Sequence, residues 1–458
     1  MAHGDFDLYY SDEPFSMMDK NQRTWLDPDL VEIWRQRSVF RPLITFTKNL
    51  GDVRATSMTV TQVLDPHPDT TALAARQIWM PSMHLDSRSR EVTFQHNGNK
   101  IAYHKYDDMI TYWKQNGQAG MRAIARGALG QSEVDMNDLL ARNALIAGSL
   151  TTGYVLYSGS SATNFNGLGI TDKFDPYVGA DIWLGMMNRG VPGAMSPSGA
   201  GGSIVCFTSP GVIYDIQQNA GWLAVNQYLQ ETALLNYEVG SFKNVRYVQT
   251  PKCTLWNCGT VAVRYPVSAA INAGDGAPPP GTTKVDGTYR VGQTTGAIVN
   301  YIQLGTATTG SISDIKVNEI ITIHAAVTNA YGVTNGVNFE EGKLTNRRVV
   351  AVDIPNKRLV LDIPVLVDFN VDLGAGVYAY VTKGRNIHAS IFVGGPQAIV
   401  SGVAQAPQFY ALDPIDDFKA IYRFSYDQYM GYAPWQPEVF EVVFSAGTTR
   451  IKGPKTVQ

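Results

Sequence analysis

An interruption of the sequence pattern near residue 267 constrains the fold most. Strand and helix patterns alternate over residues 154–266, as they do in α+β and α/β domains. The glycine- and proline-rich stretch AAINAGDGAPPPGTTKVDGTYRVG ends this alternation, and residues 267–385 carry only short strand patterns with turn residues. Long aromatic strand patterns then return in YRFSYDQYMGYAPWQPEVFEVVFSAG. We therefore predict an α+β fold in which a discontinuous domain, residues 154–266 and 386–458, carries an inserted all-β domain that forms a small barrel or sandwich.

The first 105 residues are predicted to form an arm followed by an extended β loop. In the arm, residues 1–50, the motif LDPDLVEIWRQR predicts a short helix capped by Asp27. The loop, residues 51–105, begins and ends with strand patterns. Between them lie three neighbouring apolar residues, Ile78, Trp79 and Met80. Because a long two-stranded arm buries little of its own surface, we expect this apolar tip to pack on something else; an isolated tryptophan that folds back into its own core is the alternative.

The stretch REVTFQHNGNKIAYHK predicts a β-hairpin at the end of this loop. Its Asn-Gly pair at positions 97–98 is typical of a two-residue type I′ turn. Such a turn would place Phe94 opposite Ile101 and Val92 opposite Tyr103, with all four side chains on one face. A shift of one residue would exchange the two faces, so the register is a specific prediction.

Residues 106–153 are predicted to contain two helices. Apolar residues recur mostly at steps of three or four from Tyr106 to Leu129, which indicates a long helix. The motif SEVDMNDLLARNALIAGS indicates a second helix, for which Ser132 is a suitable N-cap. Further along, SIVCFTSPGVIYDIQQNAGW predicts a strand, a turn at Ser209 and a helix that begins at Pro210.

Composition argues against several classes of protein. The 458-residue chain has a net charge of -3 and no basic tract, unlike a dedicated nucleic-acid-binding protein. Its N-terminus lacks the basic head and apolar core of a signal peptide, and no apolar run is long enough to span a membrane. Three cysteines do not suggest a disulfide framework. Only 17% of the residues are charged, which fits either a surface buried by neighbouring subunits or a β protein rich in glycine and threonine.

The glycine cluster in SPSGAGGSIVCFTSPGVIYDI has the wrong order for a phosphate-binding loop. In such a loop the glycines lie between the strand and the helix, whereas Gly199, Gly201 and Gly202 precede the predicted strand. The sequence also lacks a Walker motif, a dinucleotide fingerprint, a G-x-S-x-G elbow, a complete calcium loop and a set of zinc ligands. We therefore predict no catalytic residue, no cofactor and no metal; an active site without a known motif stays open.

The order of these elements resembles the major capsid proteins of tailed bacteriophages, which have the Hong Kong 97-type fold. The stretch SIVCFTSPGVIYDIQQNAGW is similar to the axial-domain strand, proline turn and helix of this family, and EVGSFKNVRYVQTP is similar to the turn and strand that follow. ASIFVGGPQAIVSGV is similar to the later strand and helix that resume the domain. The resemblance covers most of the chain outside the inserted β domain.

The resemblance implies six consecutive segments, and the sequence departs from some family members in two features. The segments are the N-terminal arm (1–50), the extended β loop (51–105), a peripheral domain with the long spine helix (106–153), the first part of the axial domain (154–266), the inserted all-β domain (267–385), and the second part of the axial domain with the return strands (386–458). From Arg54 to Asn99 the loop has no lysine, so the covalent crosslink of some members is not expected. The arm is too short for a helical scaffolding segment, so a separate scaffolding protein is expected.

By this resemblance the chain is a structural protein rather than an enzyme, and it assembles into the pentamers and hexamers of an icosahedral head that encloses double-stranded DNA. The residues expected at contacts between subunits are Ile78, Trp79, Met80, Arg88 and Arg90, and those expected near the capsomer centre are Gly199, Gly201 and Gly202. Expected partners are copies of itself, the scaffolding protein, a portal, a decoration protein and packaged DNA bound without specific recognition, with no membrane partner. The expected location is the virion, after assembly in the host cytoplasm. The alternative is a β-rich carbohydrate-binding or adhesion protein, in which Tyr331, Phe339 and Tyr378 would stack on sugars.

Overall fold

The computed structural model describes most of the chain between residues 38 and 448. The described residues are 38–49, 55–64, 85–104, 121–159, 167–191, 203–219, 221–222, 238–257, 261–269, 271–272, 290–291, 301–324, 346–362, 365, 369, 373–374, 376–395, 397–412 and 421–448. The predicted arm helix near Asp27 lies outside them.

The described residues form three α-helices and 21 strands. The helices are α1 (Met121–Thr152), α2 (Pro176–Asn188) and α3 (Pro210–Gln217). The strands up to residue 255 are β1 (Ile44–Asn49), β2 (Ser57–Val63), β3 (Ser87–Thr93), β4 (Gln95–His104), β5 (Val155–Tyr157), β6 (Ile204–Thr208), β7 (Glu238–Phe242), β8 (Val245–Gln249) and β9 (Thr254–Leu255). The later strands are β10 (Val261–Val267), β11 (Ile271–Asn272), β12 (Arg290–Val291), β13 (Tyr301–Gln303), β14 (Ile320–His324), β15 (Asn346–Asp353), β16 (Arg358–Leu361), β17 (Ala379–Gly384), β18 (Ile387–Val393), β19 (Ile399–Leu412), β20 (Ile421–Pro434) and β21 (Phe440–Ser445). Of the helices described, none has the length and apolar character needed to cross a membrane.

The largest sheet joins strands from both sides of the interrupted pattern. Its order is β5-β21-β18-β6-β8-β7, and β9 also pairs with β18. Cys206 of β6 lies opposite Phe392 of β18 in an antiparallel pair, so strands from before and after the interruption belong to one sheet. Helices α2 and α3 pack on one face of this sheet, and the C-terminal half of α1 packs on the other. The predicted mixed α+β class is confirmed.

The strand, turn and helix predicted around Ser209 are also confirmed. β6 is buried along its whole length, and the Ser209 side chain accepts a hydrogen bond from the backbone N–H of Val212 in the first turn of α3. Pro210 occupies the first helical position, where its missing N–H costs no hydrogen bond.

The stretch ASIFVGGPQAIVSGV forms two strands, so the helix that the family resemblance implied for its second half is wrong. β18 ends at Val393, and β19 starts at Ile399 between β1 and β20. Val400 and Ile399 are fully buried there. β-Branched residues such as these pack well on a pleated surface. Pairing with a strand on each side therefore favours a strand over a helix in this segment.

The inserted block is a small closed barrel, one of the two predicted alternatives. Its sheet has the order β10-β17-β14-β15-β16-β13. Hydrogen bonds between β10 and the segment that follows β13 close it: the N–H of Gly305 donates to the carbonyl of Pro266 at 2.7 Å, and that of Thr308 to the carbonyl of Arg264 at 2.9 Å. A separate hydrophobic core fills its interior. Because β10 spans residues 261–267, the predicted boundary at Pro266 falls inside a barrel strand, and the barrel begins earlier than predicted.

Asn257 holds the barrel against the large sheet. Its backbone has a φ of 58°, a left-handed conformation that asparagine tolerates. Its side-chain oxygen accepts from the N–H of Gly384 at 3.2 Å, and its Nδ2 donates to the carbonyl of Ile320 at 2.9 Å. Its own N–H donates to the side chain of Asn386 at 3.2 Å. The chain enters the barrel after Asn257 and leaves it at residues 384–386. Asn257 therefore connects these two segments to each other and to barrel strand β14.

Replacing Asn257 with glycine is expected to loosen this junction. Glycine accepts the left-handed backbone but leaves the N–H of Gly384 and the carbonyl of Ile320 without the side-chain partner, a loss of about 1–2 kcal/mol. Hydrogen exchange at residues 384–387 should become faster, while exchange within β6 stays unchanged. Equal exchange at residues 384–387 in both proteins would show that Asn257 does not hold the junction.

Helix α1 is continuous where the sequence predicted one helix to end and another to begin. Ser132 lies inside α1 and does not cap it, so that prediction is wrong; residues 106–120 of the first predicted helix lie outside the described residues. The Ser132 hydroxyl instead accepts a hydrogen bond from Nδ2 of Asn99 in β4, at 2.9 Å. The N-terminal half of α1 packs on a four-stranded sheet of order β1-β19-β20-β4, through a cluster that includes Leu129 and Tyr426.

The hairpin predicted at Asn97-Gly98 is wrong. β4 runs without a turn from Gln95 to His104 and pairs with β20, whereas β3 pairs with β2. Neither Asn97 nor Gly98 has the positive φ that a type I′ turn requires. Glycine is needed for another reason, since a Cβ at Gly98 would lie 2.3 Å from the carbonyl oxygen of Tyr426. The Asn-Gly pair therefore marks a close backbone approach within a sheet.

Candidate assembly surface

β2 and β3 form a two-stranded antiparallel ribbon with two different faces. Met58 lies opposite Val92 and Val60 opposite Arg90, and these side chains point to the chain's own sheet. The opposite face is exposed and consists mainly of hydroxyl-bearing residues: Thr59, Thr61, Ser87, Ser89, Glu91 and Thr93. The alternation of side chains along each strand therefore gives the ribbon one attached face and one free face.

The ribbon base, which consists of Met58, Val60 and Val92, is fixed to the chain's own sheet. It packs against Val400, Ala433 and Trp435 in a separate hydrophobic cluster. The contact is close, because a Cβ at Gly431 of β20 would lie 2.4 Å from the carbonyl oxygen of Thr93.

An ion pair holds the ribbon further along. Nη2 of Arg88 lies 2.8 Å from Oε1 of Glu438, and Nη1 lies 3.1 Å from Oε2, so the guanidinium binds both carboxylate oxygens. The hydrogen bonds that Arg88 donates to the Glu438 carboxylate raise the pKa of Arg88. Burial tends to raise the pKa of Glu438, but the hydrogen bonds and charge of Arg88 outweigh it and leave that pKa below its ordinary value. Both side chains are about one-third exposed, so the pair orients the ribbon more than it stabilises the fold.

Beyond the ion pair, the ribbon presents apolar side chains to solvent. The pairing extends to the N–H of Leu64, which donates to the carbonyl of Asp86 at 2.9 Å. At this far end, Val63 is 64% exposed and Leu85 is 68% exposed. The apolar tip residues Ile78, Trp79 and Met80 lie in the segment between them, outside the described residues. An arm that is fixed at its base and apolar at its far end fits contact with another molecule.

The end of the N-terminal arm is held by the buried carboxylate of Asp138 in α1. Its Oδ1 accepts hydrogen bonds from the Ser38 hydroxyl at 2.9 Å and from the backbone N–H groups of Val39, Phe40 and Arg41 at 2.9, 2.7 and 3.0 Å. Its Oδ2 accepts from Nζ of Lys252 at 3.0 Å. The adjoining Phe40 is fully buried against Phe207 of the large sheet. This network, the Asp138 anchor, joins the arm, the helix and the large sheet.

A second exposed surface lies on the long hairpin of β19 and β20. Phe409, Tyr410 and Tyr429 are all exposed there. The ring of His96 in β4 stacks on Tyr429 with centroids 4.3 Å apart, and its Nε2 lies 3.5 Å from a carboxylate oxygen of Asp427. This surface therefore combines exposed aromatic side chains with a polar contact.

Of the residues predicted at sites, the structure describes Arg88, Arg90 and Tyr378. Arg88 pairs with Glu438 of its own chain, and Arg90 lies close enough to lower the pKa of Glu438. The Nε of Arg90 is buried and has no hydrogen-bond partner among the described residues.

The predicted capsomer-centre residues Gly199, Gly201 and Gly202 lie outside the described residues. Tyr331 and Phe339, two of the three residues proposed to stack on sugars, also lie outside them, whereas the third, Tyr378, is half-buried. Within the described ranges no cluster of three potential metal ligands occurs, and Cys206 and Cys253 are free thiols.

Sequence reasoning missed Glu438, Asp138 and Asn257. Each forms hydrogen bonds with residues that are far away in the sequence. Glu438 binds Arg88, and Asp138 binds the backbone of the arm at Phe40. A weak signal existed for Asp138, because an aspartate at a position that faces the core of a helix needs donors from elsewhere. No local pattern indicates which donors these are.

Comparisons with known proteins find similarity in structure but not in sequence. No protein-family model and no curated protein matches the chain. Among solved structures, the capsid of Ralstonia phage GP4 is similar over 94% of this chain and 96% of that chain, with a TM-score of 0.49 and 11% identity. The capsid asymmetric unit of cyanophage Pam1 covers 94% and 98% of the two chains, with a TM-score of 0.46 and 13% identity.

A third similar structure is the capsid of Helicobacter pylori bacteriophage KHP30. It covers 93% of this chain and 97% of that chain, with a TM-score of 0.44 and 9% identity. All three are phage capsids, the class that the sequence resemblance indicated.

Proposed function

We propose that the chain is a structural major capsid protein that assembles with copies of itself into the icosahedral head of a bacteriophage. The ribbon carries this proposal. Its base packs on the chain's own sheet, the Arg88–Glu438 pair fixes its direction, and Val63 and Leu85 at its far end are exposed. A neighbouring copy that covered this end would bury apolar surface worth about 1.5–3 kcal/mol for each large side chain.

The finer parts of the proposal concern the shell. Pentamers and hexamers would close around double-stranded DNA, and the tip residues Ile78, Trp79 and Met80 would contact the adjacent subunit. The loop that contains Gly199, Gly201 and Gly202 would meet its symmetry copies at the capsomer centre. With a net charge of -3, the chain as a whole does not attract DNA, so the enclosed DNA would be bound without specific recognition.

The same proposal assigns the partners and the location. A separate scaffolding protein would direct assembly in the host cytoplasm, a portal would occupy one vertex, and a decoration protein would bind the outer surface. The finished protein would be part of the virion, and its work would be done by interfaces rather than by an active site.

Replacing Leu85 with aspartate tests the role of the ribbon. Because Leu85 is 68% exposed, the variant should fold with an unchanged melting temperature yet fail to form shells. Trp79→Ala is expected to act in the same direction. The control is Val317→Asp, which places the same charge at a residue that is 51% exposed on the inserted barrel and should leave assembly intact. Normal shells from Leu85→Asp and Trp79→Ala would remove the docking role of the ribbon.

A further inference from the structure

The end of the described chain is held in place by a compact polar network. Oδ2 of Asp215 in α3 accepts from the backbone N–H of Thr448 at 2.9 Å, and its Oδ1 accepts from the Thr448 hydroxyl at 2.6 Å. Nζ of Lys173 donates to the same carboxylate at 2.9 Å and to the Thr448 hydroxyl at 3.0 Å. The N–H of Ala446 donates to the carbonyl of Asp172 at 2.8 Å. We call residues 446–448 the C-terminal clasp.

The clasp lies directly against the imidazole of His388 in β18. A Cβ at Gly447 would lie 2.5 Å from Cδ2 and 2.6 Å from Nε2 of this ring, so only glycine fits. On the other side, Nδ1 lies 2.6 Å from the hydroxyl of Ser209 and 3.4 Å from that of Thr254. His388 is buried, and its Nε2 has no hydrogen-bond partner among the described residues. The closed clasp therefore covers the one ring nitrogen that is not satisfied.

This arrangement disfavours a charged imidazole. Burial lowers the pKa of His388 from 6.5 to about 4, and the nearby carboxylate of Asp215 acts in the opposite direction without overcoming it. Lys173 pairs with that carboxylate, and the cross-strand neighbours Thr254 and Ser445 carry no charge. A proton on Nε2 could be solvated only if the chain at Gly447 moved away and admitted water.

We infer that the C-terminal clasp is a pH-sensitive latch: it is closed over the neutral His388 ring, and protonation of that ring releases residues 446–448. The closed state binds the proton less well than the open state, so its stability is fully present above pH 6.5 and is lost as the pH falls to about 4. If the open ring has its ordinary pKa of 6.5, the opening equilibrium rises by about 300-fold over this window. The latch is a property of one chain and does not depend on assembly.

Hydrogen exchange at the clasp amides tests the latch in the intact protein. After correction for intrinsic rates, protection of residues 446–448 should fall about 30-fold between pH 7.5 and pH 5, while protection within β6 and β18 stays constant. In His388→Asn, which keeps a polar group near Ser209 but does not titrate, the fall should disappear.

A second variant, at Gly447, tests the latch without changing His388. Gly447→Ala should open the clasp even at pH 7.5, because its Cβ would overlap the ring. This variant also serves if His388→Asn fails to fold. A wild-type clasp whose protection is independent of pH, an equal fall in His388→Asn, or a fully protected clasp in Gly447→Ala would each overturn the latch.

Discussion

Replacing Asp138 with alanine should destabilise the protein by about 3–5 kcal/mol, the largest effect expected of any substitution proposed here. The carboxylate is fully buried and accepts from four donors of the arm as well as from Lys252. Alanine would leave three backbone N–H groups without this partner. The end of the arm, residues 38–41, would then detach from α1 more easily. The measurement is the midpoint of chemical unfolding, together with proteolysis near residues 38–41.

Asp135 provides a matched control for Asp138. It lies on the same helix and also binds Nζ of Lys252, at 2.9 Å, but its side chain is 32% exposed. Asp135→Ala should therefore cost no more than about 1 kcal/mol. If the two alanine variants unfolded at the same denaturant concentration, the Asp138 anchor would not be the element that holds the arm.

Replacing Gly431 with alanine should lift the ribbon base from its sheet. The new Cβ would lie 2.4 Å from the carbonyl oxygen of Thr93 and 2.8 Å from Cγ1 of Val92, and the backbone atom cannot yield without moving the strand. The expected loss is about 3 kcal/mol, at the upper end of overpacking. Assembly should be lost as well, because the ribbon would point in a different direction; melting temperature and shell yield measure the two effects.

Gly127→Ala is the matched control for this substitution. Gly127 lies in α1, and a Cβ there would meet no atom of the described residues within 4 Å apart from its own helix backbone. Alanine should stabilise the helix by about 0.5–1 kcal/mol and leave shell formation unchanged. A similar melting temperature for Gly431→Ala and Gly127→Ala would contradict the close packing of the ribbon base.

Local chemistry made part of the fold predictable. Ser209 and Pro210 fix the start of α3 through a cap and a preset φ, and neither effect needs information from distant residues. An inserted all-β domain, either a barrel or a sandwich, was predictable because turn residues separate its strands at short intervals. Its closure, however, depends on the pairing of Gly305 with Pro266, which no local pattern states.

The failures of prediction share a physical cause, which is pairing with distant strands. The Asn-Gly pair at 97–98 favours a turn in an isolated hairpin, but β20 offers β4 a ladder of ten residue pairs, and this ladder outweighs the turn preference. In the same way, β19 became a strand because β1 and β20 lie on either side of it. For the ion pair of the ribbon, the sequence indicated Arg88 but not its partner. That partner, Glu438, lies 350 residues further along the chain, and no local pattern connects the two.

The central claim is that copies of this chain form a closed shell, and electron microscopy tests it most directly. The protein would be produced with the products of its neighbouring genes, purified and imaged by negative stain. We expect closed icosahedral shells with pentamers and hexamers from the wild-type protein and no shells from Leu85→Asp. Monodisperse monomers of the wild-type protein under these conditions would contradict the central claim.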